Sequence, residues 1–337
     1  MNGQLNLKIG GQIFHVFCRK RMDAFITNIQ ESWSDYVVES TCGGCRVEIL
    51  PYSRNRHSIW DHSELERFRA QFLITHWRFP ADEQIEEMIG ESISLLQNLD
   101  PEEEGMRHIR TRIGKTQSLV YARSGLSLFF FDTELNIAFF YLSRNTILFT
   151  ILMWMLNGFK VAHPALSQGF INGMMFLLSH LLIHNNGLLI HGSAVQKDGQ
   201  GVLFLGPSGS GKSTVTRLCR PDVCFSDDGV IIKKEGTRVF AYYSPFRQIH
   251  DTYKNTHVEK GEIQKIFLLE KNRQHRVLSI ENSELMCVIL MNLIHFFKYL
   301  NDETANAGFC LTKEILDTLP SYRLEFAKTG ELWNSIV

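Results

Sequence analysis

Alternating apolar and polar residues dominate the first fifty positions of the chain. Segments such as LNLKIGGQIFHVF, YVVES and CRVEIL are punctuated by glycine pairs at 10–11 and 43–44. A period of two is typical of half-buried strands, and paired glycines favour tight turns. This stretch is therefore predicted to form strands and hairpins. Cys42 and Cys45 have C-x-x-C spacing, but without a second such pair they indicate a hairpin turn rather than half of a zinc site.

Longer apolar patterns follow in the middle of the chain. Residues 81–98 have apolar positions near helical spacing, whereas 118–132 and 136–143 have the composition of strands. Two further stretches, 147–157 and 167–184, are predicted to be buried helices. Their continuous apolar runs are shorter than the ~20 residues that a membrane-spanning helix needs.

The second half of the chain has the element order of a nucleotide-binding domain. Residues 188–195 and 202–205 are predicted strands with a polar turn between them, and a glycine-rich loop, GPSGSGKST, follows directly. Residues 214–219 can continue as a helix, and 223–232 form an apolar strand that two acids interrupt. The order strand, glycine-rich loop, helix is that of a P-loop domain. Further on, 286–299 has the apolar spacing of a core helix.

The glycine-rich loop matches the full G-x-x-x-x-G-K-[ST] pattern through Gly206, Gly211, Lys212 and Ser213. Its glycines allow consecutive backbone N–H groups to point at phosphate oxygens. Lys212 is expected as a solvated point charge on the β and γ phosphates, and the Ser213 hydroxyl as a ligand of Mg²⁺. The alternative is a chance loop before a helix, which the agreement of motif, strand and helix disfavours. The predicted nucleotide-binding residues are Gly206, Pro207, Ser208, Gly209, Ser210, Gly211, Lys212, Ser213 and Thr214.

Two adjacent acids, Asp227 and Asp228, come shortly after the P-loop helix at the end of an apolar run. At the carboxyl edge of a parallel sheet, an acid faces the nucleotide and can bind magnesium or orient the nucleophile. The alternative is that Asp227-Asp228-Gly229 is simply a hairpin turn, since Asp-Gly is a strong turn signal. The nearby P-loop favours the catalytic interpretation.

A polar stretch at 251–262, preceded by Arg247 and His250 in SPFRQIH, is a candidate lid over the site. Arg247 is a candidate for stabilising charge on the transferred group. The alternative is an ordinary surface arginine on a loop.

Composition narrows the class of protein. Thirty-five Lys and Arg balance 36 Asp and Glu, so there is no basic field to hold nucleic acid. Seven scattered cysteines, an N-terminus without signal-peptide features and the lack of a membrane-length apolar run predict a cytoplasmic protein with no membrane partner. The length allows two domains: 1–160, a mixed α+β domain for substrate or partner recognition, and 161–337, a catalytic domain. The apolar middle helices would permit a homo-oligomer.

Three segments, LLIHGSAV, GVLFLGPSGSGKST and FSDDGVII, together resemble the catalytic domain of the HPr kinase/phosphorylase superfamily. The resemblance covers about residues 186–235 and implies an α/β P-loop domain of the HPr kinase and phosphoenolpyruvate carboxykinase type. By this resemblance Asp227 is the general base toward a substrate hydroxyl and Asp228 a magnesium ligand, although their order could be reversed. His191, on the strand before the loop, is a neighbour of the reacting phosphoryl group.

The chain also departs from true HPr kinases. No stretch resembles their glycine-rich signature for the partner protein, and Thr214 stands where an acid often follows the P-loop serine. What remains resembles HPr kinase-like proteins encoded beside peptide-modification genes, including the kinases of lasso-peptide precursors. The implied function is an ATP- and Mg²⁺-dependent kinase that phosphorylates a serine of a peptide or protein. The alternatives are a non-catalytic nucleotide sensor or peptide-binding module and, more distantly, a phosphoenolpyruvate carboxykinase-like enzyme, whose further metal-binding His and Lys have no counterpart that can be placed here.

Overall fold

The computed structural model of the protein divides into two compact units. One comprises Met1–Lys8 and Ile13–Leu177, and the other Ile9–Gln12 and Leu178–Val337. The predicted domains 1–160 and 161–337 stay a prediction, and the helices predicted at 81–98 and 147–157 lie outside the described residues. The structure describes residues 3–18, 23–39, 43–52, 108–113, 116–121, 127–132, 137–143, 168–246, 258–294, 302–328 and 332–336.

The described part of the first unit is built on a seven-stranded sheet with the order β1-β2-β3-β7-β6-β5-β4. Strand β2 pairs with β3 and β3 with β7 in parallel, whereas β4 to β7 form an antiparallel meander. The strands predicted in LNLKIGGQIFHVF and CRVEIL, at 118–132 and at 136–143 are confirmed. The strand predicted at YVVES is wrong, because Val37 forms only an isolated bridge with Leu7. The hairpin turn predicted at Cys42–Cys45 is also wrong, because β2 and β3 are parallel. The elements are β1 (Gly3–Ile9), β2 (Gln12–Cys18), α1 (Asp23–Ser32), β3 (Cys45–Tyr52), β4 (His108–Ile113), β5 (Thr116–Tyr121), β6 (Ser127–Asp132), β7 (Ile137–Ser143) and α2 (Gln168–Ile183).

Phe170 lies at the centre of the aromatic core of this unit. Its ring centroid is 6.1 Å from that of Phe25, 5.2 Å from that of Trp33 and 6.2 Å from that of Phe140. All four side chains are buried, and such edge-on and tilted contacts add to the free energy of burial. They hold α1 and α2 against the sheet, which gives this unit the mixed α+β character expected from the sequence.

The second unit contains, in its described part, a nine-stranded sheet with the order β11-β9-β10-β14-β13-β12-β8, with β16 also paired to β14 and β15 to β16. A hairpin turn at Asp198-Gly199, both residues with positive φ, joins β9 to β10 as the sequence predicted. The elements are β8 (Gly187–His191), β9 (Ser193–Lys197), β10 (Gln200–Leu205), α3 (Lys212–Cys219), β11 (Val223–Ser226), β12 (Gly229–Glu235), β13 (Arg238–Tyr242), β14 (Lys260–Lys271), β15 (Arg276–Ser279), α4 (Asn282–Asn292), α5 (Asp302–Thr318) and β16 (Ser321–Phe326).

This sheet is mixed, which corrects the premise of a parallel sheet. Among the described ladders of the second unit, those of β14 with β10 and with β16 are parallel, and the others are antiparallel. Strand β11 is antiparallel to β9, which is antiparallel to β10, so β10 and β11 run in the same direction. Their carboxyl ends therefore lie at one edge of the sheet, although the two strands are not neighbours.

Strands β8 and β9 form one nearly continuous segment, and β11 and β12 form another. The ladder between these two segments is interrupted once. Gly192 alone joins β8 to β9, and two residues, Asp227 and Asp228, join β11 to β12. Because β9 pairs with β11 and β8 pairs with β12, the two continuous segments run side by side and antiparallel. At the break, the Gly192 N–H donates to the Asp228 carbonyl at 3.0 Å. The sheet is therefore curled, and the acid pair lies where it curls.

Helices cover this sheet on both faces. On β10, Leu203 and Leu205 pack in the cluster that includes α4 and α5, whereas Val202 and Phe204 pack in the cluster that includes α3. Burial on both faces explains the uninterrupted apolar sequence of this strand. The strand that leads into the glycine-rich loop is thus held in the middle of the unit.

Helix α4 corrects the prediction of a core helix at 286–299. It ends at Asn292, and Leu293 is extended and forms an isolated antiparallel bridge with Ile190. Leu285 and Ile289 are its buried residues, while Met291 is 85% exposed. The apolar spacing predicts a continuous helix, but pairing of Leu293 with Ile190 of β8 ends the helix early. No helix in the described part of the chain is long and apolar enough to cross a bilayer.

The cysteines provide a test of this packing. Burial raises the pKa of the Cys45 and Cys219 thiols to about 12, while the Cys287 and Cys310 thiols are free and exposed. Because the thiolate is the nucleophile, iodoacetamide should alkylate Cys287 and Cys310 in the native protein. Cys45 and Cys219 should react only after denaturation, as measured by peptide mass spectrometry. Rapid native labelling of Cys219 would contradict the packing of α3.

Candidate active site

The glycine-rich loop has the conformation that the sequence predicts. Strand β10 ends at Leu205 and α3 begins at Lys212, so the loop and the following helix are confirmed. Gly209 and Gly211 have φ of 76° and 105°, in the left-handed region that favours glycine. At Gly211 a Cβ would also lie 2.6 Å from Cζ of Phe326. The backbone can approach a ligand closely here because no side chain intervenes.

Lys212 is anchored inside the loop rather than solvated, which corrects the expectation from the sequence. Its Nζ donates to the carbonyl oxygens of Gly206 at 2.9 Å and Pro207 at 3.1 Å, and the residue is only 7% exposed. Burial lowers the pKa of Lys212, and the nearby carboxylate of Asp228 opposes that shift. An ammonium has three donors, so a third remains for an anion beyond these two carbonyls.

The start of α3 presents unused donors. Its N-cap residue, Gly211, provides no side-chain cap, so the first-turn N–H groups of Lys212, Ser213 and Thr214 have no intrahelical acceptor. The Oγ of Ser210 is buried and makes no hydrogen bond among the described residues. Together with the helix dipole, these groups form a site suited to a phosphate-like anion.

A buried hydroxyl pair anchors this helix to the sheet. Thr216 Oγ1 donates to the Lys212 carbonyl at 3.0 Å and lies 2.6 Å from the Oγ of Ser193, which therefore donates to it. Both side chains are fully buried. Nothing in the local sequence pattern links residue 193 to residue 216, so this pair could not be predicted.

The acid pair is not a hairpin turn. Strands β11 and β12 pair with different neighbours, so Asp227-Asp228 connects two successive parts of the curled sheet. Nδ1 of His191 lies 2.9 Å from Oδ1 of Asp228, and these side chains are 34% and 27% exposed. Asp227 is buried, with 2% exposure. The two neighbouring acids therefore occupy different environments, one accessible and one in the interior.

Two serines that the sequence analysis missed hold this connection. Ser226 Oγ donates to the Phe246 carbonyl at 2.7 Å and accepts from the Asp228 N–H at 3.2 Å. Ser244 Oγ donates to the Gly229 carbonyl at 2.7 Å, and the Gly229 N–H donates to the Phe246 carbonyl at 2.9 Å. Each serine also accepts from the N–H two residues further on, Ser226 from Asp228 and Ser244 from Phe246, both at 3.2 Å. This is a common local bond, so both serines had a detectable local signal, whereas their bonds to Phe246 and Gly229 depend on the fold.

The predicted site residues thus fall into three groups. The structure brings His191 and Asp228 into contact, and Lys212 is close enough for the Asp228 charge to oppose the lowering of its pKa by burial, whereas Asp227 is buried. Arg247, His250 and the candidate lid up to residue 257 lie outside the described residues. Among the described residues no cluster of three or more His, Cys, Asp or Glu side chains could hold a metal ion.

Comparisons with known proteins find one family model that matches the second half of the chain. Residues 170–337, just under half of the chain, match the family model described as "ScmC: SynChlorMet cassette protein ScmC". No curated protein matches. Among solved structures, the chain is similar to the Hpr(Ser) kinase/phosphatase from Coxiella burnetii, at 18% identity over 27% of this chain and 72% of that chain, with a TM-score of 0.19. A TM-score that low gives no support to a functional argument.

Two glycines of the loop can be tested against each other. Gly209→Ala meets no atom within 4 Å and suffers only its positive φ, whereas Gly211→Ala also meets the Phe326 ring. Strain at a positive φ costs about 1–3 kcal/mol, so both variants should unfold at lower temperature and Gly211→Ala at the lowest. Thermal unfolding followed by circular dichroism measures this. Equal melting temperatures for the two variants would contradict the contact with Phe326.

Proposed function

We propose that the second unit is an ATP- and Mg²⁺-dependent kinase whose acceptor is a serine hydroxyl of a peptide or protein. One observation carries the proposal. Lys212, Asp228 and His191 come from three separate segments and meet beside the uncapped start of α3, where Asp228 pairs with His191 and its charge reaches Lys212. A cation, an accessible carboxylate and free N–H donors are the groups that phosphoryl transfer requires.

The residues fit the implied nucleotide. Bound to the loop, a nucleoside triphosphate with Mg²⁺ would supply the phosphoryl group and neutralise its charge. Residues 206–214 can hold phosphates through three kinds of donor. These are the first-turn N–H groups, the third N–H of the Lys212 ammonium and the buried Ser210 hydroxyl. Magnesium is usually held by one or two protein ligands together with phosphates and water. Ser213, next to Lys212 in the first turn of α3, would be one such ligand.

The burial of the two acids favours Asp228, rather than Asp227, as the general base. A general base must come within hydrogen-bond distance of the acceptor hydroxyl. Asp227, at 2% exposure, is enclosed, whereas Asp228 is 27% exposed and beside His191. We therefore assign the contact with the reactants to Asp228 and a structural part to Asp227.

In this assignment His191 positions the acid. An ionised carboxylate only accepts hydrogen bonds, so Nδ1–H of His191 donates to Oδ1 of Asp228 and leaves Oδ2 for the acceptor hydroxyl. The acceptor oxygen forms a bond to the γ phosphorus while the bond from that phosphorus to the β–γ bridging oxygen breaks. Asp228 takes the hydroxyl proton, and Lys212 stabilises negative charge on the transferred group.

Arg247 is proposed to add a second positive charge. It follows Phe246, whose carbonyl is held by Ser226 and Gly229 at the acid connection. The side chain itself lies outside the described residues, so its part in the reaction rests on this sequence position.

The acceptor class is proposed from the family comparison and the sequence resemblance. The matching family is described as a cassette protein, which favours a substrate encoded close to the gene of this protein. Kinases of peptide precursors, which the P-loop region resembles, act on such substrates. A serine in a short peptide from the neighbouring genes is therefore the first acceptor to test.

Replacing each aspartate with asparagine should distinguish the roles of Asp227 and Asp228. Asp228→Asn should lower kcat by a factor of about 10²–10⁴, the typical contribution of a general base, with little change in melting temperature. Asp227→Asn alters a buried group and should destabilise the fold by about 1–3 kcal/mol. Steady-state kinetics and thermal unfolding of both variants show which aspartate is the general base. If Asp227→Asn abolishes transfer with unchanged stability while Asp228→Asn remains active, Asp227 is the base.

The kinase activity itself is tested with ATP, Mg²⁺ and peptides encoded by the neighbouring genes. One peptide should gain ~80 Da, a single phosphoryl group, and a Ser→Ala peptide should gain nothing. Lys212→Met keeps the buried stem of the side chain but removes its charge, so it serves as the inactive control. Binding of both ATP and peptide without any mass gain would refute the kinase and favour the nucleotide sensor.

A further inference from the structure

A cavity of about 620 Å³ lies along one face of α3. Thr214, Arg217 and Leu218 line it, and their spacing of three and four residues places them on the same side of the helix. The buried face of the helix carries Lys212, Val215, Thr216 and Cys219. The cavity therefore lies along the more exposed flank of α3, between this flank and Lys197 at the end of β9, and it begins at Thr214 in the first turn of the helix.

Positive side chains surround this cavity. Lys197, Arg217 and Arg220 are among its lining residues, and no Asp or Glu is. The Nζ of Lys197 is 5.8 Å from the centroid of the Trp333 ring, which is within cation–π range. Cations without acidic partners at a concave surface attract an anionic ligand.

A second wall of the cavity is anchored in the apolar core. Trp333 and Asn334 line it from a 3-10 helix, Trp333–Ser335. Trp333 is buried in the same apolar cluster as Val215 and Cys219 of α3, together with Leu332. The cavity is thus preformed, as small-molecule sites usually are, and its volume is within their usual range of about 300–1,000 Å³.

We propose that this cavity binds the ribose and base of the nucleotide whose phosphates lie on the loop. This inference rests on the proposed kinase function. Thr214 belongs both to the nucleotide-binding loop and to the cavity wall, whereas Lys212, His191 and Asp228 do not line the cavity. Leu218 lies one helical turn further, ~5.4 Å along the axis. A triphosphate with its γ end at Lys212 and Asp228 would therefore extend its other end past Thr214 into the cavity.

The polar and apolar groups of the cavity match a nucleoside. Leu218 and Trp333 provide apolar surface for a flat base, and Asn334 has an amide that can donate and accept. Arg217 is exposed and can stack on a base or bond to ribose hydroxyls. An acidic segment of the acceptor peptide is the competing ligand, and the contiguity of the cavity with Thr214 favours the nucleoside.

The test compares Mg-ATP with inorganic tripolyphosphate, which has the phosphates but no nucleoside. Isothermal titration is performed on the full chain, on Arg217→Ala and on Leu218→Asn, with Arg276→Ala on the exposed strand β15 as a control. Both cavity variants should bind ATP about tenfold more weakly, a loss of ~1.4 kcal/mol, with unchanged tripolyphosphate affinity. The melting temperature of Leu218→Asn is measured to exclude unfolding, and Arg217→Ala, at an exposed position, gives the same test without that risk.

Every other outcome overturns the inference. Equal weakening of both ligands would mean that the cavity binds phosphates rather than the nucleoside. Unchanged ATP affinity with a raised KM for the peptide would assign the cavity to the acceptor peptide. Unchanged binding of ATP, tripolyphosphate and peptide would leave the cavity without a ligand. In each of these outcomes the unaltered protein still binds ATP. Failure of that protein to bind ATP at all would instead refute the proposed kinase.

A direct readout is photolabelling with 8-azido-ATP. The labelled peptide should contain residues of the outer face of α3 or of Trp333–Ser335, and excess ATP should suppress the label while tripolyphosphate suppresses it less. A label confined to other segments of the second unit would place the base elsewhere.

Discussion

The site depends on one interruption in an antiparallel ladder. Gly192 interrupts the segment β8–β9 opposite the two acids that interrupt β11–β12, and the Gly192 N–H donates to the Asp228 carbonyl across the break. A Cβ at Gly192 would lie 3.1 Å from the Phe204 carbonyl and 3.2 Å from a methyl group of Leu205. The break therefore brings the end of the P-loop strand against the acid connection. His191 and Asp228 meet because their backbones are adjacent at this point.

The charges at the site are held by backbone and buried hydroxyl groups. Two carbonyls of its own loop hold the Lys212 ammonium, so its position is set before any ligand arrives. The Ser193–Thr216 pair holds the helix that carries Lys212, and Ser226 and Ser244 hold the connection that carries Asp228. Groups fixed in advance need little reorganisation when charge develops in a transition state. This preorganisation supports the proposed phosphoryl transfer.

Helix α3 connects the two proposed sites. Its buried face carries Lys212 and the hydroxyl anchor, and its more exposed flank lines the basic cavity. Thr214 lies in the first turn, where the two regions join. A ligand with an anionic chain at one end and a flat ring at the other would contact both, and this is the physical basis for assigning the nucleoside to the cavity.

Local sequence determined the elements whose signals are local. The glycine-rich loop, its strand and helix and the hairpin before it were predicted because turn residues and apolar runs act over a few residues. The dipeptide Asp-Gly shows the limit of such local signals. Asp198-Gly199 forms a hairpin turn, whereas Asp228-Gly229 leads into β12, which pairs with a different strand. Only the tertiary structure decided which of Asp227 and Asp228 is accessible, that Lys212 is buried, and that α4 ends at Asn292. The reason is that strand pairing and burial depend on residues far apart in the chain, such as Ile190 opposite Leu293 and Gly192 opposite Asp228.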